Sequence, residues 1–372
     1  MKNIIIQDNH LPYILNNINY PTGGASVQTR NWMYGFENLG YKIIIISSAK
    51  IENKTNYTII NSGNKFSFRG LIFLSNIYYN YKILRKYKPA FIYISEPQWS
   101  NIYIGIISKL LNIKIIQRIS NDNIADERIK LKFGIGKNKK NKFSRIKYIF
   151  YRIYLLLIKI ILCQNEYQLK LFKEKYPNKN LMKIYNPFLI NNAVVLTEKR
   201  SYVAWLGIFQ KQKNLEGLFD IAKKLPTIKF KIAGVESLSI DDKTRYAIKR
   251  LRKLDNVEFV GLINRDSVLD FLSKAVCLLN TSHHEGFSNT FLESISVGTP
   301  IVTREKTDPD GIVNKYNLGN VSKTNLGLCK CIEKCINQKS DINLMRKYLL
   351  EYHDPLILSA KVIKFIDNGN NL

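Results

Sequence analysis

Cysteine, histidine, tryptophan, methionine and proline are all scarce in this chain: five, four, three, four and ten among 372 residues. An odd set of cysteines leaves no closed disulfide framework, and free thiols in a reducing cytoplasm are expected. Cys329, Cys331 and Cys335 lie close together, but no second Cys or His pair stands at zinc-site spacing, so a zinc ribbon is excluded. There is no G-x-G-x-x-G fingerprint, and with it goes the sequence argument for a nicotinamide cofactor. Long apolar runs are also missing. The opening Met1-Lys2-Asn3-Ile4-Ile5-Ile6 stops at Gln7-Asp8, too short for a signal peptide. The expected location is therefore the cytoplasm, with peripheral attachment to the inner face of the plasma membrane as a further option. Acid is scarcest in proportion: 29 Asp and Glu face 57 Lys and Arg, a net charge of +28. A charge of that size calls for an anionic partner, whether nucleic acid, a membrane surface or a nucleotide substrate.

What is present is an ordinary globular composition, 45% hydrophobic and 12% aromatic, in a chain long enough for two domains. Short apolar runs of buried-strand type alternate with helical periodicity, the signature of parallel α/β units. Strands are predicted at Ile4 to Gln7, Lys42 to Ser47, Phe91 to Ser95 and Ile113 to Arg118, with a long loop after the first. Helices are expected from Ala25 to Leu39 and from about Ile102 to Leu111. The Gly23-Gly24 pair before the first of these lets a ligand approach the backbone. Asp122, in the polar stretch after Arg118, sits where α/β folds place their chemistry. Tyr185-Asn186-Pro187 breaks the pattern, and a polar linker runs from Asn191 to Lys199. A second series follows, with strands at Val203 to Leu206, Lys229 to Ala233 and Val257 to Val260, and a helix from about Leu215 to Lys224. The expected division is 1–188, 189–353 and a C-terminal helix within 354–372. Neither repeats nor low-complexity tracts interrupt it.

From Arg128 to Lys159 there are eleven Lys and Arg and no acid. Three of the charges interrupt the apolar stretch, which excludes a transmembrane span. Two readings remain: a basic amphipathic helix on anionic lipid, or a solvated face on a domain helix followed by the strand Ile160-Ile161-Leu162-Cys163.

The most informative stretch runs from Thr281 to Thr303. A buried-type strand, Ala275 to Asn280, enters a loop; Ser288 or Asn289 caps a helix carrying Phe291, Leu292, Ile295 and Val297; Gly298 ends it and Pro300 opens the next strand. Two carboxylates, Glu285 and Glu293, bracket the junction with seven residues between them. A loop feeding a helix N-terminus suits a phosphate, and flanking carboxylates accept hydrogen bonds from sugar hydroxyls.

Glu285-Gly286-Phe287, Glu293 and Gly298-Thr299-Pro300 resemble the E-x7-E signature of family-four retaining glycosyltransferases, the glycosyl transferases group 1. The resemblance implies a GT-B fold, two Rossmann-like domains facing across a cleft, with the last helix crossing back to the first domain. It implies transfer from a nucleotide-diphosphate sugar, most often a UDP-sugar, to a glycan or lipid-linked acceptor in cell-envelope polysaccharide biosynthesis. Glu285 would bind sugar hydroxyls and Glu293 the ribose; Gly286, Phe287, Ser288, Asn289 and Thr290 would line the donor; Gly23, Gly24 and Asp122 would serve the acceptor or a phosphate. The family's cationic clamp is a Gly-Arg and a lysine five residues beyond the arginine. Lys213 matches the lysine, whereas Ile208 stands where the arginine would be, leaving Lys211 to supply the second charge. Asp308-Pro309-Asp310-Gly311 formally contains D-x-D, but it falls where the family has a glycine-containing loop, so no metal and no other cofactor is expected. Two rival classes stay open: a nucleotide-sugar epimerase or hydrolase of the same fold, and a non-enzymatic nucleic-acid binder, which would leave the two carboxylates unexplained.

Overall fold

A computed structural model describes residues 1–18, 24–62, 72–125, 142–191, 200–237, 240–338 and 340–368. Gly23, the basic run before Lys142 and the proposed linker after Asn191 lie outside them. The chain divides into two units, Met1–Pro187 with Pro355–Leu372, and Phe188–Asp354.

The first unit is a seven-stranded parallel sheet of β1 (Lys2–Gln7), β2 (Tyr41–Ser47), β3 (Thr58–Asn61), β4 (Phe91–Ile94), β5 (Lys114–Arg118), β6 (Ile160–Cys163) and β7 (Asn180–Lys183). Their order is β3-β2-β1-β4-β5-β6-β7, so the chain moves outward from β1, then returns to β1's other side at β4. The isoleucine runs of β1 and β2 are buried on both faces, as parallel strands under helices on both sides must be. On one face Trp32 and Phe36, from the helix Gly24–Asn38, join Ile4, Ile6 and Tyr93. Leu358, Val362 and Ile366, from the helix Pro355–Asn368, complete that cluster. The two helices meet at Gly35, where a Cβ would lie 2.2 Å from Ser359 Oγ and 2.3 Å from the Pro355 carbonyl oxygen. The other face is covered by Asn101–Leu110 and Lys142–Leu157, which contribute Ile104, Ile107, Tyr151, Tyr154 and Leu155.

The second unit repeats the scheme with six parallel strands: β8 (Tyr202–Leu206), β9 (Phe230–Ala233), β10 (Val257–Gly261), β11 (Ala275–Asn280), β12 (Ile301–Arg304) and β13 (Gly319–Ser322), in the order β10-β9-β8-β11-β12-β13. Order again reverses between the first strand and the fourth. The α/β expectation and the Rossmann-like pattern in both halves therefore hold. The segment after β1 is a correction. It is not a long loop, because Leu11–Leu15 is helical, with Asp8 accepting from the backbone N–H groups of His10 and Leu11. Three edge strands, β3, β7 and β13, also escaped the pattern, since Thr-Ile-Ile-Asn, Asn-Leu-Met-Lys and Gly-Asn-Val-Ser are too short or too polar to read as buried runs.

Candidate active site

In a doubly wound sheet, two adjacent strands whose connections leave in opposite directions open a crevice at their C-terminal ends. In the second unit those strands are β8 and β11. The loop after β8 carries Lys211 and Lys213, and the loop after β11 carries Glu285. Their sequence separation is 72 residues, yet Lys213 Nζ lies 2.6 Å from Glu285 Oε1, with side chains 18% and 10% exposed. Ser282 Oγ donates to the same oxygen at 2.7 Å.

The two loops are stitched together below this pair. Thr281 Oγ1 donates to the Lys213 carbonyl at 2.8 Å and accepts from Trp205 Nε1 at 3.0 Å. The His283 N–H donates to the Gln212 carbonyl, and Gln212 Nε2 returns a bond to the His284 carbonyl. Asn214 takes a left-handed conformation, φ +52°, and caps the helix Leu215–Lys224 by accepting from the Gly217 N–H. Its Nδ2 donates to the Thr281 carbonyl at 3.0 Å. Lys213 is thus held by backbone bonds and by the next residue's cap. The stem of Lys213 runs beside Gly207, its Cε 3.4 Å from where a Cβ there would stand, ordinary contact distance.

The helix Asn289–Ser296 follows. Ser288 sits at its N-cap in extended conformation but makes no side-chain cap bond; its Oγ pairs with Thr290 Oγ1 at 2.8 Å instead. Gly286, Phe287 and Ser288 are buried. The Phe287 ring packs edge-on to His353, centroids 5.2 Å apart, so its side chain is anchored in the unit's core. Glu293, one turn into the helix, is 4% exposed, and its Oε1 accepts from Arg265 Nη2 at 2.6 Å. The two carboxylates are therefore each matched to a cation, Lys213 with Glu285 and Arg265 with Glu293.

Lys211 begins the turn Lys211–Lys213 and is exposed. Its charge, with that of Arg304, adds to burial in holding the His283 imidazole below its usual range. Arg304, at the end of β12, donates to Asn325 Oδ1 and lies against Gly217. Neither Arg265 nor Arg304 belongs to a motif visible in the sequence. Nothing in the spacing of Arg265 marks it, because it comes from a different loop than the carboxylate it holds.

Asp308 Oδ1 accepts from the Val313 N–H at 3.0 Å, and the segment turns through left-handed Asp310 and Gly311 into the helix Ile312–Lys315. Burial pushes the Asp308 carboxyl up to about 6. Among the described residues, no cluster of three or more His, Cys, Asp or Glu is placed to hold a metal. In the first unit, Gly24 opens the helix Gly24–Asn38 and is exposed. Asp122 is buried, its Oδ1 accepting from Gln168 Nε2 at 2.8 Å and Asn165 Nδ2 at 3.1 Å. Asp8, unmarked by any motif, is the larger hub at the end of β1. It accepts from Ser26 Oγ at 2.7 Å and Thr29 Oγ1 at 2.9 Å as well as the two backbone groups.

Residues 189–349 match the family model described as glycosyl transferases group 1. Two uncharacterized glycosyltransferases of Methanocaldococcus jannaschii are each 23% identical: MJ1059 over 64% of this chain and 62% of that protein, and MJ1178 over 82% of each. The chain thus spans less than two thirds of the first relative's length. Among solved structures, Anabaena HepE in complex with UDP and glucose matches with a TM-score of 0.76 at 14% identity, covering 99% of this chain and 100% of that one. WaaG, a glycosyltransferase involved in lipopolysaccharide biosynthesis, matches with a TM-score of 0.68 at 13% identity, over 96% and 98%. The fold is GT-B. Within it, residues 189–349 are similar to the glycosyl transferases group 1, the family that the carboxylate pair and the Gly-Thr-Pro turn resemble.

Proposed function

We propose that this protein is a retaining glycosyltransferase that moves a hexosyl group from a nucleoside-diphosphate donor to a glycan or lipid-linked acceptor. The observation that carries the reading is the Lys213–Glu285 pair at the β8/β11 switch point, inside the matched domain. Lys213 and Glu285 hold each other in the resting protein. An arriving donor offers each a better partner: the diphosphate oxygens for the ammonium, and sugar hydroxyls for the carboxylate. As the bond between sugar and phosphate breaks, charge builds on the departing diphosphate. Lys213 and the start of the helix Asn289–Ser296 stabilise it, while the acceptor hydroxyl attacks from the same face. Lys211 supplies further positive charge, Glu293 reads the ribose, and Gly24 and Asp122 belong to the acceptor side. A uridine nucleotide is favoured by HepE, whose structure holds UDP and glucose; an envelope-polysaccharide role is favoured by WaaG. Asp308 acts as a helix cap, and the reaction needs no metal.

Attachment to an anionic membrane surface through Arg128 to Lys159 is part of the same proposal. No described helix is long and apolar enough to cross a membrane. The helix Lys142–Leu157 buries Tyr151, Tyr154 and Leu155 but turns Ile146, Ile149, Ile153 and Leu156 outward, 47%, 53%, 38% and 68% exposed. An acid-free basic segment beside an exposed apolar stripe matches the chemistry of anionic headgroups over acyl chains.

The test is product analysis with a panel of nucleotide sugars and membrane lipid extract. Transfer with retained anomeric configuration, undiminished after exhaustive chelation, is the expected result. Lys213→Ala should lower turnover by about 10²–10³-fold, as removal of one oxyanion donor does. Release of free or epimerised sugar without an acceptor product would select the hydrolase or epimerase reading. Activity restored only by manganese or magnesium would make Asp308 and Asp310 ligands.

A further inference from the structure

We propose that Arg265 is a positioning residue for Glu293, turning its carboxylate toward the ribose and so setting the preference for ribonucleotides. The inference rests on the ribose role proposed above for Glu293. Arg265 stands in the turn Arg265–Ser267, between β10 and the helix Val268–Ser273. That helix is tied to the turn after Glu293's own helix, where Thr299 Oγ1 donates to the Leu272 carbonyl at 2.7 Å. The guanidinium therefore reaches Glu293 from a scaffold fixed to the helix it serves.

The two partners are unequally exposed: the Arg265 side chain is 44% exposed and that of Glu293 only 5%. Among the described residues, Arg265 is the one side chain or backbone group bonded to the Glu293 carboxylate. A buried carboxylate left without a partner is strongly disfavoured; it takes a proton or turns toward water. Either change removes a charged acceptor from the place where vicinal hydroxyls would bind. Arg265 takes Oε1 alone, which leaves Oε2 to accept from a ribose hydroxyl. Arginine suits this task because its guanidinium stays charged, and one short charged hydrogen bond holds Oε1 while leaving Oε2 open.

The experiment measures calorimetric affinities for one nucleotide and its 2′-deoxy form. The nucleotide is whichever of UDP, GDP and ADP best protects the wild-type protein from heat. Wild type, Arg265→Ala, Arg265→Gln, Arg265→Lys and Glu293→Gln are compared. Wild type should prefer the ribonucleotide by about tenfold or more, the scale of one charged hydrogen bond. In Arg265→Ala and Arg265→Gln the preference should collapse toward unity, and Arg265→Lys should recover part of it. A merely structural ion pair would lower thermal stability and leave this ratio alone. The inference is overturned if Glu293→Gln loses the preference while Arg265→Ala and Arg265→Gln keep it. If Glu293→Gln keeps the preference, or wild type has none, the ribose role itself fails and takes the inference with it. Should Arg265→Ala not fold, the near-isosteric Arg265→Gln decides.

Discussion

At the scale of single residues, the site is a set of matched charges rather than isolated groups. Ile208 stands where the resembled family has an arginine, so the clamp proposed for the diphosphate would have one cation fewer in the expected place. If Lys211 supplies the second charge, Lys211→Ala should slow turnover less than Lys213→Ala does. Ile208→Arg should then partly rescue Lys211→Ala but not Lys213→Ala. Steady-state rates of the four variants check this, and a wild-type rate in Lys211→Ala would leave Lys211 as solvated charge. Asp308 offers a second test. Its folded carboxyl titrates near 6, above the ordinary 3.8 of the unfolded chain, because burial penalises the anion. Between those values the folded state holds the proton more tightly, so this residue makes stability fall as pH rises from about 4 to 6. Asp308→Asn keeps an acceptor for the Val313 N–H and should flatten that fall in a pH series of melting temperatures. An unchanged slope would mean the carboxyl titrates normally.

Among the elements, the helix Lys142–Leu157 carries two different faces. Its inner face is fixed by packing. A Cβ at Gly105, on the helix Asn101–Leu110, would sit 3.2 Å from Leu157 Cδ1 and 3.3 Å from Tyr154 Cδ2. Its outer apolar residues recur at helical spacing, and burying such a side chain is worth about 1.5–3 kcal/mol. Changing Ile149 and Leu156 to serine should leave folding intact and weaken binding to anionic vesicles at all salt concentrations. Neutralising Lys137, Lys139 and Lys140 should instead weaken the salt-sensitive part alone. Flotation with anionic and neutral vesicles separates the two. Equal binding to both, or to neither, would remove the membrane proposal. The sequence left this helix between two readings because its residues satisfy both: the inner tyrosines belong to the domain, and the outer stripe does not.

For the whole molecule, the chain leaves the first unit at Pro187 and re-enters it at Pro355. Removing residues 355–372 should strip Leu358, Val362 and Ile366 from the cluster around Ile4, Ile6 and Trp32. Hydrogen exchange should then lose protection in β1, β2 and the helix Gly24–Asn38, with β8 to β12 spared; uniform loss in both units would contradict this. The sequence alone determined the alternation of strand and helix, since buried parallel strands need apolar runs and helices need period 3.6. It also determined the carboxylate motif, because Glu285, Glu293 and the Gly-Thr-Pro turn are local in the chain. Tertiary structure decided the rest. Lys213 meets Glu285, and Arg265 meets Glu293, only because strand order reverses between β8 and β11 and one helix packs on another. Edge strands β7 and β13 likewise exist through pairing with β6 and β12 rather than through their own composition. Local pattern is written in neighbouring residues, but a partner some tens of residues away is chosen by topology and packing, which no spacing rule encodes.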